Sequence, residues 1–181
     1  MDDAAEPRPR ERRAVTTRTA TVDDAEAMRR IYNVEVEQHV TTLDMVPRSA
    51  DDQRRWIEQR SGAFSAIVAE AAIESGDPPE VVGFASLSPF RDRPAYHPTV
   101  EDSVYVDRAV AGMGIGRALM DALVARARDS GFHSMIARIE ASGAASIALH
   151  RSCGFELVGV EREVGRKHGR WLDVAVMQLM L

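Results

Sequence analysis

The sequence predicts an α+β (mixed α/β) fold, with one mixed sheet and helices packed on its faces. Three observations lead there. The chain has 181 residues, 45% hydrophobic and 28% charged, which suits one soluble domain with a full core. Apolar residues switch between strand-like runs and helical spacing. The resulting order, β-α-α-β-β-β-α-β-α-β-β, does not alternate as a doubly wound fold would. No internal repeat, heptad series or low-complexity tract is found.

Taken in order, residues 1–14 are polar, mixed in charge and Pro-containing, so a disordered N-terminal tail is expected, with a single domain over 15–181. Val15 to Ala20 is β-rich and reads as the first strand. Asp23 or Asp24 then caps a helix with Ala27, Met28, Ile31, Tyr32 and Val34 at helical spacing. After a break at Thr41 to Pro47, Ser49 or Asp51 opens a second helix bearing Trp56 and Ile57. Ser65 to Ala72 and Val81 to Leu87 read as a hairpin around Gly76-Asp-Pro-Pro. The polar loop Arg91-Asp-Arg-Pro-Ala-Tyr-His-Pro leads into a strand from Val100 to Val106. Glycines from Gly112 to Gly116 precede a helix with Ala118, Leu119, Leu123 and Ala127, ended by Ser130-Gly131. Met135 to Ile139 is the next strand. Ser142 or Gly143 precedes a short helix through Leu149, and Leu157 to Val160 and Leu172 to Met180 are the last strands. The turn Lys167-His-Gly-Arg separates those two strands.

Composition narrows the function. The formal net charge is −5, which argues against a general nucleic-acid binder. No apolar run approaches the ~20 residues needed to span a bilayer. No apolar stretch follows the basic start, so neither a secretory leader nor a membrane partner is expected, and the expected compartment is the cytoplasm. Cys153 is the single cysteine, which excludes an intrachain disulfide framework. An unpaired cysteine is most often a small buried hydrophobe. The five histidines, at 39, 97, 133, 150 and 168, are too scattered for a zinc spacing, so no metal is expected.

The strongest chemical signal is Ser103-Val-Tyr-Val-Asp-Arg-Ala-Val-Ala-Gly-Met-Gly-Ile-Gly-Arg, a strand running through Gly112, Gly114 and Gly116 into a helix. Glycine permits positive φ and close approach of a ligand. The first helical turn offers unpaired N–H groups and partial positive charge, which together suit a phosphate. A Walker loop needs Gly-Lys-Ser/Thr, and Gly116-Arg117-Ala118 lacks it. A dinucleotide fingerprint needs Gly-x-Gly-x-x-Gly in a repeated βα pattern, which is absent. The pyrophosphate of coenzyme A and a tight turn without any ligand both remain open on spacing alone.

Val104-Tyr-Val followed by Gly112-x-Gly114-x-Gly116 resembles the acetyl-CoA motif of the GNAT superfamily of N-acetyltransferases. Thr99-Val-Glu-Asp-Ser-Val-Tyr-Val, Ile139-Glu-Ala-Ser-Gly-Ala-Ala-Ser-Ile-Ala-Leu-His, Cys153-Gly-Phe and Gly169-Arg-Trp-Leu-Asp-Val-Ala-Val-Met-Gln-Leu resemble the phosphinothricin and methionine sulfoximine/sulfone acetyltransferases within it. The resemblance runs from about Thr17 to Leu181. It implies a central, mostly antiparallel sheet with helices on both faces, opened in a V where two parallel strands part. It also implies acetyl transfer from acetyl-CoA to the α-amine of a small amino acid analogue, and a homodimer. The main chain of Val104, Tyr105 and Val106 would pair with the pantetheine arm. The amides of Gly112, Met113, Gly114, Ile115, Gly116 and Arg117 would hold the pyrophosphate, with Gly143 and Ser152 on the same cofactor surface. The chain departs from the family at Ala111, where Gln or Arg is frequent, and at Gly143, where Asn is usual. Leu43 stands after Thr41-Thr42 where an aromatic is frequent.

An α-amine titrates at about 7.7–8, so at neutral pH it is mostly protonated and cannot attack. A base, an oxyanion donor and an acid for the leaving thiolate are needed. The resemblance points to Glu101 as base, or as a ligand for the substrate ammonium, and to His150 as the second catalytic candidate. Tyr105 is the candidate oxyanion or thiolate donor. Arg91, Arg93 and the Pro94-Ala95-Tyr96 loop are the candidate contacts for the substrate's carboxylate and its sulfonyl-type side-chain oxygens, since arginine presents a bidentate fork to a carboxylate. Against this stand an acetyltransferase for another small amine or a protein N-terminus, and a non-catalytic CoA-binding sensor.

Overall fold

The computed structural model describes residues 14–74 and 76–181. The expected tail, residues 1–14, lies outside these residues except for Ala14, which is exposed. The main elements are β1 (Thr16–Thr19), α1 (Ala25–Gln38), α2 (Ala50–Glu58), β2 (Ile67–Ala71), β3 (Glu80–Pro89), β4 (Thr99–Val106), α3 (Ile115–Asp129), β5 (Ser134–Glu140), α4 (Ala144–Ser152), β6 (Glu156–Lys167) and β7 (Arg170–Met180). Their order is the one the sequence pattern predicts.

The seven strands form one sheet in the order β1-β2-β3-β4-β5-β7-β6. Every neighbouring pair is antiparallel except β4 with β5. That parallel pair is short. It runs from Thr99 opposite Ser134 to Glu101 opposite Ile136, and beyond it the strands part. The parted strands are the V-shaped opening.

Two apolar layers clamp the sheet. On one face Ile115, Leu119, Met120 and Leu123 of α3 pack with Met135, Phe155 and Met177, all buried. On the other, Met28, Ile31, Tyr32 and Val36 of α1 pack with Ile57, Val68 and Phe84. Gly83 in β3 lets α3 close on the sheet. A Cβ there would lie 2.9 Å from the Tyr105 carbonyl oxygen and 3.1 Å from Leu119.

Asp24 holds the N-cap position of α1, as expected, but its side chain makes no capping bond to that helix. Thr21 caps a 3₁₀ turn at Val22–Asp24, and the Asp24 carboxylate accepts from the Thr21 amide at 2.7 Å. Asp24 is committed to that role and to a fork from Arg18, with both bonds at 2.8 Å. Strand β6 is far longer than Leu157 to Val160. It carries an irregularity between Glu161 and Gly165, where Glu163 takes φ 53°. The charged run Glu161-Arg162-Glu163 reads as loop because an exposed ribbon needs no apolar alternation.

The β6–β7 hairpin turns through His168 and Gly169, at φ 49° and 75°, the left-handed pair a two-residue turn requires. At its tip Lys167 is only 2% exposed. Its ammonium donates to the Glu35 carbonyl at 3.1 Å and to the Thr42 carbonyl at 2.8 Å. Glu35 sits in the last turn of α1, where carbonyls lack helical partners. Lys167 therefore serves as a cap supplied from across the molecule.

Candidate active site

The site occupies the parting of β4 and β5. Alternation along β4 sends Val100, Asp102, Val104 and Val106 toward α3 and α4, and Glu101, Ser103 and Tyr105 toward α1 and α2. Two cavities result, and Asp102, Ser103 and Tyr105 border both.

The narrower cavity follows the split. It is lined by Val104, Ala137, Arg138, Ile139, Ser146 and His150 among others. The glycine loop follows β4. Gly112 and Gly114 take φ 82° and 84°, a region that disfavours any Cβ. Gly114 is the N-cap of α3 and brings no capping side chain, so the first-turn amides stay open. Met113 and Ile115 turn their side chains into the core. Gly116 has a different reason to be glycine. A Cβ there would lie 3.0 Å from Leu149 of α4, so it sets how closely α3 and α4 approach.

The Arg117 side chain, unlike its amide, is committed elsewhere. Its Nε donates to both Asp121 oxygens, at 2.8 and 2.9 Å, and its Nη1 to the Ser152 carbonyl at 3.2 Å. The Ser152 hydroxyl donates to the Leu149 carbonyl. Gly143 caps α4, and a Cβ there would meet the Glu140 carbonyl oxygen at 2.9 Å. This backbone thus disfavours the asparagine usual in the family.

His150 is not free to touch a substrate. It is 2% exposed, and both ring nitrogens are engaged: Nδ1 with the Ser146 carbonyl at 2.7 Å, Nε2 with Asp102 Oδ2 at 3.0 Å. A carbonyl on one side and a carboxylate on the other favour the doubly protonated ring. Burial alone would lower its pKa, but the Asp102 bond and charge, with the Ser146 carbonyl, raise it. The second Asp102 oxygen, Oδ1, is buried without a partner.

The wider cavity, of ≈ 290 Å³, opens on the α1/α2 side. Its floor is aromatic. Tyr105 packs edge-on to Tyr32 at 5.0 Å and lies 5.2 Å from Phe84. Burial pushes the Tyr105 hydroxyl well above the usual phenol range, so it stays protonated. Glu101 stands at the mouth, half-buried. Burial raises its pKa, Arg138 and Arg91 oppose that, and Asp102 and Glu161 add to it. Arg138 pairs with Glu161. The far wall holds Asp44, Arg48, Trp56 and Arg60.

The sequence-predicted residues therefore divide. Glu101, Tyr105, Val104 and the glycine loop converge around the split. Arg91, Arg93, Pro94, Ala95 and Tyr96 do not line the cavity. They lie exposed on the β3–β4 connection, where Arg91 lies near Phe90 and Tyr96. The arginines that do line it are Arg48, Arg60 and Arg138. Nothing local marks these three: Arg138 sits within β5, and Arg48 and Arg60 lie in the irregular segments just before and just after α2. Asp102 was equally hidden, its partner lying 48 positions away.

A family model described as an acetyltransferase (GNAT) domain matches residues 17–176. A relative from Pseudomonas paraeruginosa, named L-methionine sulfoximine/L-methionine sulfone acetyltransferase, is 38% identical over 93% of this chain and 95% of its own length. Among solved structures, a phosphinothricin acetyltransferase from Sinorhizobium meliloti in complex with AcCoA is 40% identical at TM-score 0.84, covering 92% of this chain and 88% of that one. A ribosomal-protein-alanine N-acetyltransferase from Brucella melitensis is 41% identical at TM-score 0.84, over 92% and 99%.

Proposed function

The chain belongs to the GNAT acetyltransferase family, and from that premise we propose that it moves an acetyl group from acetyl-CoA to the α-amine of a small amino acid analogue, such as phosphinothricin, methionine sulfoximine or methionine sulfone. The observation that carries this is Glu101, which stands half-buried where the split between β4 and β5 meets the ≈ 290 Å³ cavity.

The parted strand edges and the open amides of α3 fit a phosphate-bearing thioester with an extended arm. Acetyl-CoA, when bound, supplies the activated acetyl carbon. Main-chain groups of Val104, Tyr105 and Val106 bind its arm, and the amides from Gly112 to Arg117 bind its pyrophosphate. Glu101 takes the ammonium proton, directly or through a water. Its raised pKa brings it closer to the amine it serves. Tyr105, kept protonated, donates to the developing oxyanion or the leaving thiolate. His150 acts at one remove, as a positioning residue that holds the Asp102 carboxyl in place beside the split.

The outer surface of β6 and β7 exposes Leu157, Val158, Val160, Val164, Trp171 and Met180, which supports a homodimer through this ribbon. No described helix is long and apolar enough to cross a membrane, which is consistent with a cytoplasmic enzyme. A protein N-terminal alanine is the second reading, favoured by the name of the Brucella relative.

Acetyl-CoA consumption over phosphinothricin, methionine sulfone, methionine sulfoximine and an alanine-terminated peptide tests the proposal. Turnover of an amino acid analogue is expected; turnover of the peptide alone would transfer the assignment to the second reading. Sedimentation at micromolar protein should show a dimer.

A further inference from the structure

We propose that Arg48 and Arg60, both set against Trp56, form a subsite for a second acidic, oxygen-rich group at the far end of the acceptor's side chain, a phosphinate or a carboxylate. This deepens the amino-acid reading above and rests on it.

The pair is built, not incidental. The Arg48 backbone is clamped by Asn33, whose Oδ1 accepts from the Arg48 amide and whose Nδ2 donates to the Arg48 carbonyl, both at 2.9 Å. The Arg48 Nη1 donates to Gln53 Oε1 at 3.0 Å, and Gln53 is fully buried. The Arg48 guanidinium lies 3.9 Å from the Tyr32 ring centre and 4.8 Å from that of Trp56. The Arg60 guanidinium lies 3.6 Å from Trp56. Aromatic faces fix a guanidinium's plane while leaving its edge N–H groups for a bidentate acceptor.

The charges are uncompensated. Among the described residues, neither arginine is ion-paired with a carboxylate. Arg60 Nε is buried with no hydrogen-bond partner. Burial and the charge of Arg48 depress Arg60 to about 10, the mark of a cation short of an anion. Asp44 shares this wall and accepts a bond from the Tyr32 hydroxyl. Two cations against one carboxylate still leave an excess of positive charge.

Position selects the distal group rather than the α-carboxylate. Arg138 and Arg91 are the cations that act on Glu101, whereas Arg48 acts on Tyr32 and Tyr105. An α-carboxylate is one carbon from the amine and belongs with Glu101 and Arg138. The group that reaches Arg48 and Arg60 lies further along the side chain.

The experiment compares phosphinothricin, whose side chain is anionic, with methionine sulfone, whose side chain is neutral. In Arg48→Met and in Arg60→Met, the kcat/KM ratio of phosphinothricin to methionine sulfone should fall roughly 10- to 100-fold, the scale of losing a charge-assisted hydrogen bond. Arg60→Lys should recover part of it. Arg55→Met, which removes an exposed arginine ion-paired with Asp52, should leave the ratio unchanged. Equal loss for both substrates, or no change in the ratio in a folded variant, overturns the subsite. A second readout does not depend on turnover. In a Trp171→Phe background Trp56 is the remaining tryptophan, and dimethylphosphinate should change its emission saturably, with the response abolished by Arg48→Met. If no amino acid analogue is acetylated yet this response is present, the substrate reading fails and the anion subsite stands. If analogues are acetylated but neither the emission nor the ratio responds, the subsite fails alone.

Discussion

The two sides of the β4–β5 split are built on different principles. Toward α3 and α4 the site is main chain: parted strand edges, two left-handed glycines and the bare first turn of a helix. Toward α1 and α2 it is side chain: Glu101, Tyr105, Arg138 and the Arg48–Arg60 wall, brought from four separate segments. A main-chain site tolerates changes such as Ala111 and Gly143, because amides do not depend on residue type. A side-chain site gains selectivity and loses that tolerance. Asp102 and His150 lie between the two, joining β4 to α4 through a buried ion pair.

If this division holds, the largest effect belongs to the side-chain half. Glu101→Gln should lower kcat about 10²- to 10⁴-fold at neutral pH with little change in the KM for acetyl-CoA. In the parent enzyme, activity should fall as pH drops through the Glu101 pKa, at a value above the ordinary glutamate range. A pH–rate profile of unchanged shape in the variant would remove Glu101 as base.

At the boundary, Asp102→Ala strands a buried imidazolium and should cost about 3–5 kcal/mol in urea unfolding. The folded pKa of His150 is raised, so the pair's stabilisation is fully present below about pH 6.5 and is lost as pH rises through the folded value. The stability gap to Asp102→Asn should therefore be widest in mild acid and narrow in alkali. A gap independent of pH contradicts the protonated ring.

In the main-chain half the expected effects shrink. Gly116→Val drives two methyls at Leu149 and should destabilise by roughly 1–3 kcal/mol, read by thermal melting. Arg117→Ala should change acetyl-CoA affinity less than about 3-fold by calorimetry, because that guanidinium already serves Asp121 and the Ser152 carbonyl. A tenfold weakening would bring the Arg117 guanidinium into the phosphate site and blur the division.

The same division explains what could be read from sequence. The order of elements and the glycine loop were legible because each is written in contiguous residues: alternation, a glycine spacing, a strand running into a helix. Glu101 was singled out by the family resemblance of Thr99-Val-Glu-Asp-Ser-Val-Tyr-Val, not by a local pattern. The Arg48–Arg60 wall was not, since neither arginine has a local signature and their meeting depends on α2 packing beside α1. Arg91 and Arg93 stand close to the motif in sequence, yet they lie exposed on the β3–β4 connection, outside the cavity lining. The His150 ring was visible as a candidate, but its confinement by Asp102 exists only once β4 and α4 are stacked. Strand β6 was shortened by its own charges, because an edge ribbon facing water carries no apolar rhythm.

The buried ammonium at the tip of the β6–β7 hairpin ties distant parts together. By gripping the carbonyls of Glu35 and Thr42, it fastens the segment that forms one rim of the acceptor cavity. The rim can loosen only if the far end of the ribbon lifts with it. Amide exchange at Thr41 to Asp44 should then keep time with exchange around His168 and Gly169, so that a two-residue bend well outside the chemistry sets the breathing rate of the doorway.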